Sequence, residues 1–371
     1  MKSERQSVLF LLGRFTVGGV ERVTVTMANE FASRDWRVCV AAFEFVRRDL
    51  LDGLDGRVAV EELGFPAFRL ASVRKLKAIM HKNGTYYIIN QWALPFPVTA
   101  MLHMAKPAGA KIIAFHHTMP NRNGRLQVAK GFKRWFAELA SRASLRLVYR
   151  CSDAYVVLSP SLMPVFQAFT GIRNARKLSW LPNPLSTLPS QEEKPHKDNA
   201  ILFVGRLSQF EKRVDRVLDV WRMLSQKLPG WRLDIVGDGP DRSMLESCAK
   251  DISRVTFHGF KEATPYFSRS KILLLTSDFE GFPMVLVEAM ANGCVPVAYG
   301  SFPTVRDIIH GDDGFVVPEP WNVKTFAAKV ALLANNEVLR KDMARTARKS
   351  VTAFSMENVL RQYLELFESL V

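Results

Sequence analysis

The sequence predicts an α/β protein with two domains, each built around a parallel sheet. The chain has 371 residues, which suits two domains of about 150–200 residues better than one core. In both halves, apolar runs typical of buried strands alternate with amphipathic helical patterns, which implies parallel strands joined by right-handed crossovers. The composition changes near 182–199, where Pro182 and Pro184 are followed by a polar, charged stretch. We therefore expect domains at 1–183 and 200–354, with a linker at 184–199.

The strand and helix patterns can be assigned in order along the chain. In the first half, strands are predicted at Ser7–Leu12, Val38–Phe43, Tyr86–Asn90, Lys111–Phe115 and Ala154–Leu158. In the second half, they are predicted at Ala200–Val204, Trp231–Val236, Val255–His258, Ile272–Thr276, Val295–Ala298 and Gly314–Val317. Helical spacing is clearest at Val20–Ser33, Arg213–Lys227, Ser243–Asp251, Pro283–Asn292 and Val323–Asn335. In such folds, ligands bind beyond the carboxyl ends of the strands.

Cysteine usage and hydropathy exclude several classes of protein. The four cysteines are scattered and form no C-x-x-C pair, so neither a disulfide framework nor a zinc site is predicted, and a reducing cytoplasm is the natural compartment. No apolar run reaches the roughly 18–20 residues that span a bilayer. The run Val8–Leu12 is too short for a signal peptide and is typical of a buried first strand.

The positive charge of the chain is confined to one half. Residues 1–190 hold 27 Lys and Arg against 12 Asp and Glu, whereas residues 191–371 hold 24 of each. The excess of +15 in the first half favours an anionic partner, either a membrane surface or nucleic acid, over a generic solubilising charge.

Two basic amphipathic segments concentrate this charge. Arg69–Lys82 alternates basic residues with apolar ones, and Arg122–Arg150 carries eight Lys and Arg against the single acid Glu138, with aromatic residues between them. This composition favours a helix lying on anionic lipid headgroups, where each basic residue contributes about 1 kcal/mol. A core helix with a solvated face and a nucleic-acid surface are the alternatives.

The segment from Ser277 to Gly293 carries the strongest chemical signal. It follows a predicted strand, Pro283 suits the start of a helix, and Gly293 suits the position just past its end. Free backbone N–H groups at such a start favour a phosphate or a sugar oxygen. Glu280 lies in the loop, and Glu288 lies on an otherwise apolar helix, where an acid is costly unless it is partnered or binds ligand hydroxyls. Each alone fits a cap or a buried salt bridge, but the pair in this context favours a site for sugar hydroxyls.

Two other turns follow predicted strands of the second half. Arg206 follows Gly205 directly after the strand Ala200–Val204, and with Lys212 it offers two positive charges to a diphosphate. Solvated surface cations are an equal alternative. Gly237, Asp238 and Gly239 form a turn that is as typical of a structural role as of a ligand contact, because the full dinucleotide fingerprint is absent.

Two motifs follow strands of the first half. Gly18 and Gly19 allow a ligand's phosphate or sugar to approach the backbone. His116 and His117 are candidates for a hydrogen bond to a substrate hydroxyl. No third ligand is suitably spaced, so zinc is not predicted.

Taken in order, these motifs resemble the family 4 glycosyltransferases of the GT-B fold, especially bacterial enzymes of surface polysaccharide and lipopolysaccharide assembly. The motifs are GGVER at 18–22, the histidines at 116–117, LPNP at 181–184, VGRL and EK within 204–212, VGDGP at 236–240 and EGFPMVLVEAMANGCVPV at 280–297. The last, with an E-x7-E arrangement, is the most specific.

The resemblance implies a fold and a reaction. Two Rossmann-like domains would face each other across a cleft, with a helix at 355–371 crossing back to the first. The reaction would be a retaining sugar transfer from a UDP- or GDP-sugar, without a metal or another cofactor. The acceptor would be a lipid-linked molecule or glycan. The protein would bind peripherally to the cytoplasmic face of the membrane, and it would not bind nucleic acid.

The resemblance also implies roles for individual residues. Glu280 would bind donor-sugar hydroxyls, Glu288 the nucleotide ribose, and Arg206 with Lys212 the diphosphate leaving group. A histidine would contact the sugar near its reacting carbon; His117 is favoured, and the doublet leaves His116 possible. The remaining donor-binding candidates, by backbone or side chain, are Gly18, Gly19, Gly237, Asp238, Gly281, Phe282 and Pro283.

Alternative functions stay open at this point. A GT-B sugar epimerase or a soluble glucan synthase would use a similar donor site, but the basic first half argues against a soluble acceptor. A catalytically inactive GT-B membrane assembly subunit, or a nucleic-acid-binding protein, would not need the set Glu280, Glu288, Arg206 and Lys212.

Overall fold

The computed structural model describes residues 6–16, 18–64, 69–92, 95–121, 131–186 and 197–371. These divide into two compact units. The first unit comprises residues up to Ser186 together with Val359–Val371, and the second runs from Thr187 to Asn358. Most of the expected linker lies outside the described residues, as does the start of the basic segment Arg122–Arg150.

The first unit contains a parallel sheet of seven described strands in the order β3-β2-β1-β4-β5-β6-β7. The strands are β1 (Ser7–Phe15), β2 (Arg37–Phe45), β3 (Ala59–Glu62), β4 (Tyr87–Asn90), β5 (Lys111–His116), β6 (Ala154–Val157) and β7 (Leu178–Trp180). Its helices are α1 (Gly19–Ser33), α2 (Leu70–Lys82), α3 (Phe96–Ala105), α4 (Gly131–Cys151) and α5 (Leu162–Thr170). The strand order reverses between β1 and β4, which makes the carboxyl ends of these two strands the expected ligand position.

The second unit contains a parallel sheet of six described strands in the order β10-β9-β8-β11-β12-β13. The strands are β8 (Ala200–Val204), β9 (Arg232–Val236), β10 (Val255–Gly259), β11 (Ile272–Leu275), β12 (Val295–Tyr299) and β13 (Phe315–Val317). Its helices are α6 (Val214–Leu224), α7 (Arg242–Cys248), α8 (Thr264–Arg269), α9 (Met284–Ala291), α10 (Val305–Ile308), α11 (Val323–Asn335) and α12 (Glu337–Ser350). Here the order reverses between β8 and β11.

The last helix, α13 (Met356–Ser369), joins the core of the first unit from Val359 onwards. Phe367 is 2% exposed, and its ring stacks on Tyr87 with the centroids 4.0 Å apart. Tyr363 stacks on Phe115 at 5.5 Å. Burial of large aromatic rings of this kind contributes several kcal/mol, so the return of the helix to the first unit rests on packing in the sheet's own core.

Two strands were not predicted from the sequence. β3 and β7 are the edges of the first sheet, and they are short and partly exposed. Edge strands lack the uninterrupted apolar run of a central parallel strand, so the pattern that identifies the others is missing.

The two basic amphipathic segments differ in what they bury. In α2, Leu76, Ile79 and Met80 lie in the core of the first unit. This segment is therefore a core helix with a solvated basic face, which is the alternative interpretation of its sequence. In the described part of the second segment, α4, Phe132 is 73% exposed and Trp135 56%. No helix of the described ranges is both long enough and apolar enough to cross a membrane.

Candidate functional site

Lys212 and Glu280 form an ion pair at the point where the strand order of the second sheet reverses. Lys212 follows β8, Glu280 follows β11, and these strands are neighbours. The Lys212 Nζ donates to Glu280 Oε1 at 2.5 Å, and Ser277 Oγ donates to the same oxygen at 2.8 Å. The side chains are only 21% and 13% exposed. A cation and an acceptor for hydroxyls are therefore held together at the ligand position of this fold.

A second ion pair fixes the backbone beside the first. Arg216 of α6 donates to Asp278 Oδ1 at 2.6 Å and to the Thr276 carbonyl oxygen at 3.1 Å. Its guanidinium carbon lies 4.9 Å from the ring centroid of Tyr299 and 4.8 Å from that of Trp321. The N–H of Asp278 donates to the carbonyl of Glu211, so the loop after β11 is tied to the loop that carries Lys212.

Arg213 links the same two loops. Its backbone is left-handed with φ of 50°, which costs a non-glycine residue about 1–2 kcal/mol. Its guanidinium donates to both Asp215 oxygens and to Asp278 Oδ2, and these charged hydrogen bonds offset the strain. No local sequence pattern singles out Arg213, Arg216 or Asp278, because their partners are distant in the chain or lie across a tight turn.

The other predicted residues of this segment occupy distinct positions. Pro283 is the N-cap of α9 and has no N–H, so it cannot serve as a backbone donor, contrary to the expectation for Gly281–Pro283. Phe282 is buried, and its ring packs edge-on against Phe354. Among these predicted residues, the backbone N–H groups of Gly281 and Phe282 remain for a ligand. Glu288 lies half-buried in the second turn of α9, and Gly293 follows the helix with φ of 65°.

The turn at Gly237–Gly239 packs against the loop that carries Arg206. A Cβ at Gly237 would lie 1.9 Å from the Gly205 carbonyl oxygen, and one at Gly239 would lie 2.4 Å from the Leu207 oxygen. The N–H of Leu207 donates to the Asp238 carbonyl at 2.9 Å. These glycines thus serve close backbone packing, the structural alternative of the sequence analysis. Arg206 is exposed and makes no side-chain hydrogen bond or ion pair to any residue that the structure describes.

In the first unit, Gly18 is the N-cap of α1 and Gly19 is its first residue. Gly18 has an extended backbone, and a Cβ there would lie 2.5 Å from a carboxylate oxygen of Glu21. Glu21 is buried and accepts hydrogen bonds from the N–H and the hydroxyl of Thr16. Nothing lies within 4 Å of a Cβ placed on Gly19. The start of α1 is therefore open at Gly19.

The two histidines differ in how their ring nitrogens are used. His116 is buried; its Nδ1 lies 2.9 Å from the Tyr155 hydroxyl and its Nε2 3.3 Å from the Thr118 hydroxyl. His117 is half-buried, and its Nε2 bonds the side-chain oxygen of Gln91, which follows β4. The His117 Nδ1 is buried without a partner among the described residues. His117 thus has one nitrogen without a described partner, whereas both nitrogens of His116 have protein partners.

Burial keeps both rings neutral. Desolvation lowers the pKa of His116 to about 4. Desolvation and, to a lesser extent, the electrostatic repulsion between the two rings when both are protonated lower the pKa of His117 to about 3. Because an amide oxygen accepts from His117 Nε2, that nitrogen carries the proton and Nδ1 presents its lone pair. The sequence did not point to Gln91, although its position just after a buried strand was an available signal.

Two family models match the chain one after the other. The model described as Glycosyltransferase Family 4 matches residues 17–187, and the model described as Glycosyl transferases group 1 matches residues 186–350. The chain belongs to the family 4 glycosyltransferases.

Relatives of this glycosyltransferase are similar over most of its length. An uncharacterized glycosyltransferase of Haemophilus influenzae is 24% identical over 364 residues, 95% of this chain and 97% of the relative. The lipopolysaccharide 1,6-galactosyltransferase of Salmonella typhimurium is 26% identical over 306 residues, 79% of each chain. Among solved structures, Anabaena HepE in complex with UDP-glucose aligns with a TM-score of 0.79 at 19% identity, over 98% of this chain and 99% of HepE. The predicted GT-B fold class is confirmed.

The close approach at Gly237 gives a test of the glycosyltransferase's second unit. We expect Gly237→Ala to lower the free energy of unfolding of this unit by about 3 kcal/mol, because the added methyl overlaps the Gly205 oxygen and the loops must separate. Chemical denaturation followed by tryptophan fluorescence measures the change. Gly19→Ala is the control, since its methyl meets no atom within 4 Å; equal stability of the Gly237 variant and the wild type would contradict the packing.

The lowered pKa values of His116 and His117 predict a pH dependence of stability. The unfolded chain protonates them near pH 6.5, but the folded chain does so only near pH 4 and 3. Stability should therefore fall as pH drops from about 6.5 towards 4, by up to about 1.4 kcal/mol per pH unit for each histidine. His117→Gln should reduce the difference between the free energies of unfolding at pH 5 and pH 7, as measured by denaturant titrations. The exposed His81→Gln is the control. An unchanged pH dependence of the unfolding free energy in the His117 variant would contradict a neutral His117 ring in the folded protein.

Proposed function

We propose that this chain is a retaining glycosyltransferase that moves a sugar from a nucleotide-sugar donor to a lipid-linked or glycan acceptor in cell-surface polysaccharide synthesis. The Lys212–Glu280 pair at the strand reversal of the second sheet is the observation that carries the proposal. The galactosyltransferase relative supports the polysaccharide context, and the UDP-glucose in HepE supports a nucleotide-sugar donor.

In this proposal, the second unit binds the donor. Glu280 accepts hydrogen bonds from the sugar hydroxyls. When the donor binds, the Lys212 ammonium group also contacts the diphosphate. Arg206, exposed and without a described partner, adds a second cation. The N–H groups of Gly281 and Phe282 bind phosphate or sugar oxygens, and Glu288 binds the ribose of a UDP- or GDP-sugar.

Departure of the nucleoside diphosphate is the step that needs electrostatic help. Negative charge builds on the leaving oxygens as the bond to the sugar breaks, and cations fixed beforehand stabilise it without reorganisation. The proposal assigns this work to Lys212 and Arg206, without a metal. Among the described residues, no group of three or more His, Cys, Asp or Glu side chains is placed to hold a metal ion.

On the first unit, the proposal gives His117 a positioning contact with the donor sugar. A neutral ring with an unpartnered Nδ1 is an acceptor for a sugar hydroxyl. The open start of α1 at Gly19 offers N–H groups to an oxygen of the substrate.

The proposal places the acceptor at a membrane rather than on nucleic acid. The basic charge lies in the first half of the chain, and α4 exposes the aromatic residues of its outer face. Aromatic rings beside Lys and Arg suit the boundary between headgroups and acyl chains. Peripheral binding to the cytoplasmic face follows from this proposal.

Replacing Glu280 tests the donor site. We expect Glu280→Ala to reduce sugar transfer on the order of 100-fold or more, because a charged acceptor for the transferring sugar is lost. The assay measures nucleotide release with whichever of the UDP-, GDP-, dTDP- and ADP-sugars raises the unfolding temperature of the wild type. The exposed Glu262→Ala is the matched control; unchanged turnover by a folded Glu280 variant would refute the site.

Liposome flotation tests the membrane contact. The wild type should float with vesicles that contain anionic phosphatidylglycerol, and Trp135→Ser combined with Phe136→Ser should abolish flotation, because two exposed rings can no longer enter the interface. Trp180→Ser, which removes another partly exposed ring of the same unit, should have no effect. If the wild type does not float with the vesicles but is retained tightly on DNA, the proposed partner of the basic surface would be nucleic acid rather than a membrane.

A further inference from the structure

A groove of about 460 Å³ runs between α4 and α5 of the first unit. Arg134, Glu138 and Arg142 of α4 line one side of it, and Val165 and Phe169 of α5 line another. The three polar residues are four positions apart, so they share one face of α4. The groove is therefore a charged strip of one helix facing an apolar strip of the next.

The groove has an excess of positive charge. Arg134 is exposed and makes no side-chain hydrogen bond or ion pair to a described residue. Arg142 donates to Glu138 and lies over the ring of Phe169, with its guanidinium carbon 5.1 Å from the centroid. Arg142 is still 42% exposed, and its Nε is buried without a partner in the described structure. Two guanidinium groups and one carboxylate leave one unit of positive charge for a ligand.

An exposed aromatic ridge lies beside the groove on the same helix. The ridge consists of Phe132, Trp135, Phe136 and Leu139, each about half exposed or more. The Phe132 and Trp135 rings stack with centroids 5.8 Å apart, and Phe136 packs edge-on against both. At 3.6 residues per turn, the ridge and the charged strip are about 100° apart around the helix. A ligand with one charged end and one apolar end matches these adjoining surfaces.

The groove also lies near His117 along the chain. Asn121, which lines the groove, is four residues after His117. Four residues span at most about 14 Å, so the two Cα atoms are no farther apart than that.

We propose that the α4–α5 groove binds the phosphate or diphosphate group of a lipid-linked acceptor, whose lipid chain leaves over the aromatic ridge. Arg134 and Arg142 bind the phosphate oxygens, because a guanidinium fork matches them. The short distance to His117 limits the glycan between phosphate and accepting hydroxyl to a few sugars. This inference rests on the proposed function for the reaction, but the groove binds its ligand without any transfer.

The test measures binding of geranyl diphosphate to the full-length protein in the absence of donor, by calorimetry. Arg134→Gln should weaken binding about tenfold, the loss expected for one charge-assisted hydrogen bond. Glu138→Gln should tighten binding about fivefold, because a like charge leaves the groove and Arg142 is released. Binding at the donor site is common to all variants and cannot produce shifts of opposite sign.

Matched controls separate the groove from general charge. Lys133→Gln removes an exposed cation on the far side of α4 and should leave the affinity unchanged. Geraniol and inorganic diphosphate, which each carry one end of the probe, should bind at least tenfold more weakly. Equal loss in the Lys133 variant, weaker binding in the Glu138 variant, or inorganic diphosphate binding as tightly as geranyl diphosphate would overturn the proposal. None of these outcomes depends on Glu280, so failure here is distinct from failure of the proposed transfer.

Discussion

The ion pair between Arg216 and Asp278 is the constraint on which the second unit's site depends. It joins α6, which follows the loop of Lys212, to the loop that carries Glu280. A charge as buried as Arg216 is unfavourable unless its attraction to a partner offsets desolvation. The rings of Tyr299 and Trp321 on the guanidinium, and the Thr276 carbonyl, add further favourable interactions. The loops are consequently in place before any ligand binds.

This arrangement determines how Lys212 and Glu280 behave. A lysine and a carboxylate brought together by flexible loops would lose side-chain entropy for a modest gain. Here the backbone on both sides is already held, because Asp278 N–H bonds the Glu211 carbonyl and the Thr276 hydroxyl lies within hydrogen-bonding distance of the Lys212 and Arg213 carbonyls. The pair is therefore preorganised, and a ligand that carries both hydroxyls and phosphates meets an acceptor and a donor at fixed positions.

The sequence predicts the central strands and the Glu280–Glu288 segment because their signals are local. A buried parallel strand is a continuous apolar run, and Glu288 is an acid on an apolar helix. The edge strands β3 and β7 lack that run. Arg216 looks like any basic residue of an amphipathic helix, since its partners Asp278, Tyr299 and Trp321 are more than 60 residues away. The histidine doublet also needed the structure, since only the Gln91 and Tyr155 contacts distinguish the two rings.

The two basic helices show why composition alone does not identify a surface. Both α2 and α4 combine basic residues with apolar ones. Leu76, Ile79 and Met80 of α2 lie in the core, whereas the ridge of α4 is exposed in the part of the chain that the structure describes. The two helices differ in their neighbours: α2 packs beside α3, whereas α4 lies against both α3 and α5 and buries Leu145 and Val148. Exposed aromatic rings are unfavourable in water, so their position beside a cationic groove supports the proposal that this surface binds a ligand with a charged end and an apolar end.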